Sequence, residues 1–194
     1  MADEPAGDPA RVAILISGRG SNMRALIEQA NGYQVVLVAS NKPHAAGLDY
    51  ARSVAGIPTW TWDSKAVPRA DFETALDRAL RDHHVGTVAL AGFMRLLSAA
   101  FVEQWRGRIV NIHPSLLPKY PGLDTHARAL AAGDTVAGCS VHVVTEEVDA
   151  GEVIGQAEVP IVAGDDAQSL AERVLAAEHR LYPRALADFI NARR

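Results

Sequence analysis

The sequence predicts an α/β domain, a mostly parallel sheet flanked by helices on both faces with an antiparallel edge near the C-terminus. Short apolar runs alternate with longer helical patterns through the first two-thirds of the chain. Three of the runs are almost unbroken in Val, Ile, Leu and Ala, as strands buried on both faces require. The last third changes to two strand patterns joined by a short acidic loop. At 194 residues, 48% hydrophobic and 22% charged, the chain suits one domain with a self-sufficient core.

Residues 1–10 (MADEPAGDPA) read as a flexible tail and 11–194 as the domain. Strands are expected at Val12–Ser17, Gln34–Ser40, Thr59–Trp62, Thr87–Ala91 and Arg108–His113. Helices are expected near Ser21–Ala30, Ala45–Ala55, Ala70–His83 and Ser98–Trp105. In Ala70–His83, Phe72, Leu76 and Leu80 recur every four residues and form one apolar stripe. Strands and helices alternating at this length imply right-handed βαβ units. Ala137–Val144 and Val153–Val159 flank a loop holding Gly151 and are expected to pair antiparallel. The final helix, Ala167–Asn191, turns Leu170, Val174, Leu181 and Phe189 inward.

The formal charge of −4, from 19 basic and 23 acidic residues, argues against a nucleic-acid footprint. Cys139 is the single cysteine, so no intramolecular disulfide forms and a reducing, cytoplasmic setting is expected. Met1–Ala10 does not read as a signal peptide. No apolar run approaches the roughly 20 residues of a membrane span, so no membrane partner is expected. The seven histidines show no ligand spacing, so no metal is expected. His83 and His84 end a helix, His44 and His126 are expected to be exposed, and His179 reads as a helix-surface residue.

After the first strand comes Ser17-Gly18-Arg19-Gly20-Ser21-Asn22 and then a helix, whose unpaired N–H groups suit an anion. The dinucleotide fingerprint fails twice: Met23 stands where a third glycine is needed, and Ser40-Asn41-Lys42 where an acid is needed. Two readings remain, a single phosphate on the amides of Gly20, Ser21 and Asn22, or an ordinary tight turn with Ser21 as N-cap. Further on, Asn111-Ile112-His113-Pro114 closes a strand. Asn111 and His113 share a face, and Pro114 frees His113 at the carboxyl end of the sheet. An amide donor beside an imidazole suits a reaction that develops an oxyanion and moves a proton. A polar strand terminus bonded to neighbouring loops is the alternative. Ser115–Gly122 then brackets a loop with three prolines counted from Pro114, a string no secondary structure demands.

Together SGRGSN, AGFMRLLS (Ala91–Ser98), NIHPSLLPKYPG (Asn111–Gly122) and Val148-Asp149-Ala150-Gly151 resemble the glycinamide ribonucleotide formyltransferases, over roughly residues 11–190. Within the folate-dependent formyltransferase superfamily, KYPG resembles the purine branch. The resemblance implies a single-domain Rossmann-like formyltransferase fold. It implies formyl transfer from 10-formyltetrahydrofolate to the amine of glycinamide ribonucleotide, through a tetrahedral centre and without metal.

It assigns catalysis to Asn111, His113 and Asp149, with Asp149 favouring the charged imidazolium. It places the substrate phosphate on Gly20, Ser21 and Asn22, the nucleotide's sugar or glycinamide on Glu178, and the folate at Arg69, Met94, Arg95, Leu96, Leu97, Asn111 and Val148. Read alone, Glu146, Glu147 and Asp149 form a solvated turn, Glu178 is a helix-surface charge and residues 94–97 are packing. Some relatives carry a basic residue where this chain has Leu175, so Arg19 and Lys42 are candidates to balance the phosphate. His142 stands between core histidine and site residue. Cys139, on the opposite face, lacks an activating base. A formyltransferase for another amine and a non-catalytic nucleotide- or folate-binding module are the alternatives. A monomer or a homodimer would suit any of them.

Overall fold

Side chains alternate along a strand, so a strand with helices on both sides feeds two separate cores. Val12, Ile14 and Ile16 enter one and Ala13 and Leu15 the other. In the computed structural model the described residues are 7–63, 65 and 67–194. The elements in order are β1 (Arg11–Ile16), α1 (Ser21–Glu28), β2 (Gln34–Ser40), α2 (Gly47–Ser53), β3 (Thr59–Thr61), α3 (Arg69–Asp82), β4 (Thr87–Leu90), α4 (Ala99–Gln104), β5 (Ile109–His113), α5 (Thr125–Ala131), β6 (Val136–Val143), β7 (Val153–Pro160) and α6 (Ala167–Asn191).

The sheet has the order β3-β2-β1-β4-β5-β6-β7. The first five strands are mutually parallel, and β6 and β7 are antiparallel to their neighbours. Helices α1, α2 and α6 cover one face through Met23, Leu26, Leu48, Ala51, Val174 and Leu181. Helices α3 and α4 cover the other through Phe72, Leu76, Leu80 and Phe101. The expected architecture is therefore present, with strand and helix ends displaced by a residue or two. Helix α5 is not delineated by the sequence pattern beyond His126 standing near a helix start. Seven residues long and burying only Thr125 and Ala129, it is too short to show a stripe.

The packed chain begins before Arg11. Thr87 donates to the Pro9 carbonyl (2.8 Å), and Ala10 is buried. A Cβ on Gly7 would lie 2.3 Å from the Val85 carbonyl oxygen, so this segment runs tightly against the entry to β4. Residues 1–6 of the expected tail lie outside the described residues.

Strand β1 separates β2 from β4, which makes it the point where sheet building reverses direction. In such sheets ligands bind beyond the carboxyl ends of the strands. Three of the singled-out segments emerge there, Ser17–Asn22 after β1, Ala91–Ser98 after β4 and Asn111–His113 closing β5. The first two are tied together. Ser17 N donates to the Gly92 carbonyl (3.1 Å), Met94 N donates to Ser17 Oγ (2.7 Å), and that hydroxyl donates to Asn41 Oδ1 (2.6 Å).

Candidate active site

Strand β5 sends Val110 and Ile112 into the core under α6, which leaves Asn111 and His113 on the opposite face. Antiparallel pairing sets His142 of β6 directly across from Asn111 and Ser140 across from His113. Asn111 Nδ2 lies 3.2 Å from His142 Nε2. The other ring nitrogen of His142, Nδ1, faces the Val143 carbonyl at 3.1 Å and must donate to it. Nε2 of neutral His142 is therefore bare and accepts from the Asn111 amide. Burial holds the His142 imidazole below its ordinary value, which favours this neutral form.

Asp149 completes the group. Its Oδ2 lies 3.3 Å from His113 Nδ1 and its Oδ1 lies 3.5 Å from His142 Nε2, and all three side chains are buried. Gly122 N donates to the same Oδ2 (2.8 Å). His113 Nε2 faces the Tyr120 carbonyl at 2.9 Å. Both ring nitrogens of His113 thus face oxygen acceptors, an arrangement satisfied in full only by the imidazolium, which donates at both.

The β6–β7 loop reaches this place by doubling back. Val144 N donates to the Ile109 carbonyl, at the amino end of β5, whereas His113 is at its carboxyl end. The loop must therefore return across the sheet face before Asp149 meets His113. Asp149 has a left-handed backbone, φ 55°. A Cβ on Gly151 would lie 1.7 Å from the Val143 carbonyl oxygen. The glycine is thus required by the strand backbone beneath it. Of the three acids in the loop, Glu146 and Glu147 stay exposed and only Asp149 turns inward. This corrects the reading of the loop as a wholly solvated turn.

The segment after Pro114 is held from below. Ser140 Oγ donates to the Ser115 carbonyl (2.7 Å) and accepts from Leu117 N (3.0 Å), while Gln156 Nε2 donates to the Leu117 carbonyl (2.9 Å). Ser115 Oγ in turn donates to the Lys119 carbonyl (2.6 Å). The strand terminus therefore makes loop contacts, as the polar-terminus reading had it, and these same contacts orient His113.

A family model described as Formyl transferase matches residues 10–186. The chain belongs to the formyl transferase family. It is 46% identical over 187 residues to the phosphoribosylglycinamide formyltransferase of Escherichia coli (strain K12), covering 94% of this chain and 88% of that protein. It is 50% identical over 182 residues to the trifunctional purine biosynthetic protein adenosine-3 of Bos taurus, covering 91% of this chain but 18% of that much longer protein. The crystal structure of phosphoribosylglycinamide formyltransferase from Brucella melitensis superposes with a TM-score of 0.89 at 50% identity, covering 93% of this chain and 95% of that one.

Beyond the carboxyl end of β1, Gly20 is the N-cap of α1 with a left-handed backbone (φ 73°), and no side chain caps the helix. Ser21 is the first helical residue and not the cap, so the tight-turn reading with a Ser21 cap does not hold. The first amides of α1 remain available to an anion. Asn22 and Glu178 meet as a buried pair, Nδ2 to Oε2 at 2.7 Å, and burial raises the Glu178 carboxyl above its usual range. Asn22 Oδ1 is buried with no hydrogen-bond partner. Glu178 is thus no surface charge. Arg19 and Lys42 are exposed at the ends of β1 and β2.

The remaining sequence-predicted residues lie between β4 and α4, at the start of α3 and in the β6–β7 loop. Met94 (68% exposed), Leu96 (67%) and Val148 (52%) present apolar surface to solvent, whereas Leu97 packs into the second core. The Arg95 guanidinium lies 5.2 Å over the Phe72 ring. Arg69 opens α3 and is exposed.

Sequence reasoning missed Tyr120, Gly122, Ser140 and Gln156, and left His142 undecided. Glu178 was legible: it stands four residues after Val174 and three before Leu181, on the inward stripe of α6. His126 and His179 are half-buried, each with a buried Nε2, where exposed positions were expected. Cys139 is fully buried and its thiol is pushed up to about 12 by burial, so it is inert as a nucleophile. Among the described residues no group of three or more His, Cys, Asp or Glu side chains is arranged to hold a metal ion, and no helix is long and apolar enough to cross a membrane.

Proposed function

We propose that this chain transfers the formyl group of 10-formyltetrahydrofolate to the amine of glycinamide ribonucleotide, a step of de novo purine biosynthesis, in a cytoplasmic setting. The observation that carries this reading is His113, set with one ring nitrogen on Asp149 and the other on the Tyr120 carbonyl, with the Asn111 amide on the same strand face. Two of the relatives named above support the substrate assignment, since they are phosphoribosylglycinamide formyltransferases.

The chemistry follows from these groups. Attack of the amine on the formyl carbon places negative charge on the formyl oxygen. The His113 imidazolium and an Asn111 N–H offset that charge, one preorganised donor being worth roughly 3–4 kcal/mol. Asn111 spends one N–H on His142 and has a second for the oxyanion. The attacking nitrogen loses a proton and the departing folate nitrogen gains one. Asp149, ionised beside His113, holds the water that carries it. Collapse breaks the bond between the formyl carbon and the folate nitrogen, and no covalent enzyme intermediate forms.

The phosphate sits on the amides of Gly20, Ser21 and Asn22, and Glu178 receives the sugar or glycinamide. The unpartnered Asn22 Oδ1 supports a ligand donor at that spot. Arg69, Met94, Arg95, Leu96, Leu97 and Val148 border the folate, with apolar surface for its ring.

An absorbance assay of folate deformylation tests the reading. Turnover that requires glycinamide ribonucleotide is the expected result. Equal rates without it identify a hydrolase, and no rate under either condition identifies a binding module; either outcome overturns the proposal.

A further inference from the structure

The short stretch Tyr120–Gly122 touches both His113 and Asp149. The Tyr120 carbonyl accepts from His113 Nε2 (2.9 Å) and Gly122 N donates to Asp149 Oδ2 (2.8 Å). A displacement of this stretch would therefore alter both members of the dyad together. It is not a regular element, and Tyr120 holds a left-handed backbone, φ 54°, that a non-glycine residue adopts only where its surroundings impose it.

What imposes it lies outside the site, between α5 and β6. The α5 C-terminus closes with Gly133 N on the Leu130 carbonyl and Asp134 N on the Ala129 carbonyl, which aims Asp134 back at the loop. Asp134 Oδ2 accepts from the Tyr120 hydroxyl (2.8 Å), and both its carboxylate oxygens lie 3.1 Å from Lys119 Nζ. From the other side the Arg128 guanidinium covers the Tyr120 ring at 5.2 Å and donates to the Pro121 carbonyl (2.6 Å). The side chain of Tyr120 is gripped at its hydroxyl and on its ring, and its carbonyl holds the imidazole.

From this geometry we infer that Asp134 is a positioning residue for catalysis, which sets the His113–Asp149 dyad through the Tyr120 hydroxyl without touching substrate. The inference rests on the formyl-transfer reading for its kinetic consequence but not for its structural one. Of the two contacts the tyrosine hydroxyl matters more. Lys119 is 60% exposed, and an ion pair so open to water contributes little.

The test uses the full chain and the variants Asp134→Ala, Asp134→Glu, Tyr120→Phe and Lys119→Met. In formyl transfer, Asp134→Ala lowers kcat on the order of tenfold or more and shifts either KM less than about threefold, since misplacing a catalytic group costs rate and not binding. Tyr120→Phe, which keeps the ring under Arg128, reproduces most of that loss. Asp134→Glu restores part of it, and Lys119→Met leaves kcat within about twofold.

Independently of turnover, the titration of the His113 ring is followed by nuclear magnetic resonance. In Asp134→Ala it departs from its wild-type position, because the Tyr120 carbonyl on Nε2 is displaced. Wild-type kcat together with an unmoved His113 titration in Asp134→Ala overturns the inference. A moved titration in a chain that transfers no formyl group supports the positioning and overturns the formyl-transfer reading alone. A loss of kcat in Lys119→Met equal to that in Tyr120→Phe overturns the assignment to the hydroxyl.

Discussion

The His113 group and the glycine loop are built differently. Around His113 nearly every polar atom is partnered inside the protein: Asn111 with His142, Asp149 with His113 and Gly122, His113 with Tyr120. Around the glycine loop the cap of α1 is a bare glycine, Asn22 Oδ1 is unpartnered, and Met94 and Leu96 face solvent. Groups that must meet a developing charge in fixed geometry gain from being held beforehand. Groups that bind a phosphate or a flat ring must stay open until the ligand arrives. Disturbing the His113 group should therefore cost turnover, and disturbing the glycine loop should cost affinity.

Asp149→Asn is the largest break in that comparison. It removes the charge that favours the imidazolium while keeping the shape, and formyl transfer should fall on the order of a thousandfold in kcat with an unchanged circular dichroism spectrum. Near-wild-type turnover would sink the catalytic assignment.

Ser21→Asp acts at the glycine loop. A fixed negative charge at the start of α1 opposes the phosphate directly, so the KM for glycinamide ribonucleotide should rise on the order of ten- to a hundredfold. The folate KM should change less than about twofold. Steady-state kinetics with each substrate varied decide this, and a parallel rise in both KM values would count against the phosphate site.

The smallest expected effect concerns stability and pH. Burial depresses the His142 imidazole, so between its folded value and 6.5 the unfolded chain binds more protons than the folded one. His142 therefore lowers stability as pH falls below 6.5. Glu178, whose carboxyl is raised by burial, acts with the opposite sign: its contribution is present below 4.5 and is lost as pH rises through the raised value. Thermal melts should show a fall in Tm from pH 7 to 5.5 that is shallower in His142→Gln. Equal slopes in the two proteins would show that His142 is not held neutral.

The frame of the fold was legible because it is carried by side-chain pattern. Continuous, β-branched apolar runs as short as Val35–Ala39 read as strands covered on both faces, and Asn111 and His113, two apart on a strand, share a face. Residue type alone places single acids at the surface, whereas Glu178 lies on the buried stripe of α6 and Asp149 is carried inward by its loop.

What stayed hidden in sequence was mostly backbone. The Tyr120 carbonyl and the Gly122 amide hold the dyad, and no periodicity marks a main-chain group as a partner. The cross-strand meeting of Asn111 and His142 depends on a register that becomes fixed only when β5 and β6 pair.

The returning β6–β7 loop has one more consequence. Both of its ends are pinned, with Val143 N donating to the Glu152 carbonyl and Gly151 resting on the Val143 carbonyl. Between those pins the chain has to cross a fixed span of sheet face and end with one carboxylate against the imidazole. Its tip can change chemically at exposed Glu146 or Glu147 without moving that carboxylate. A residue added between the pins must therefore be taken up at the exposed tip if Asp149 is to keep its place.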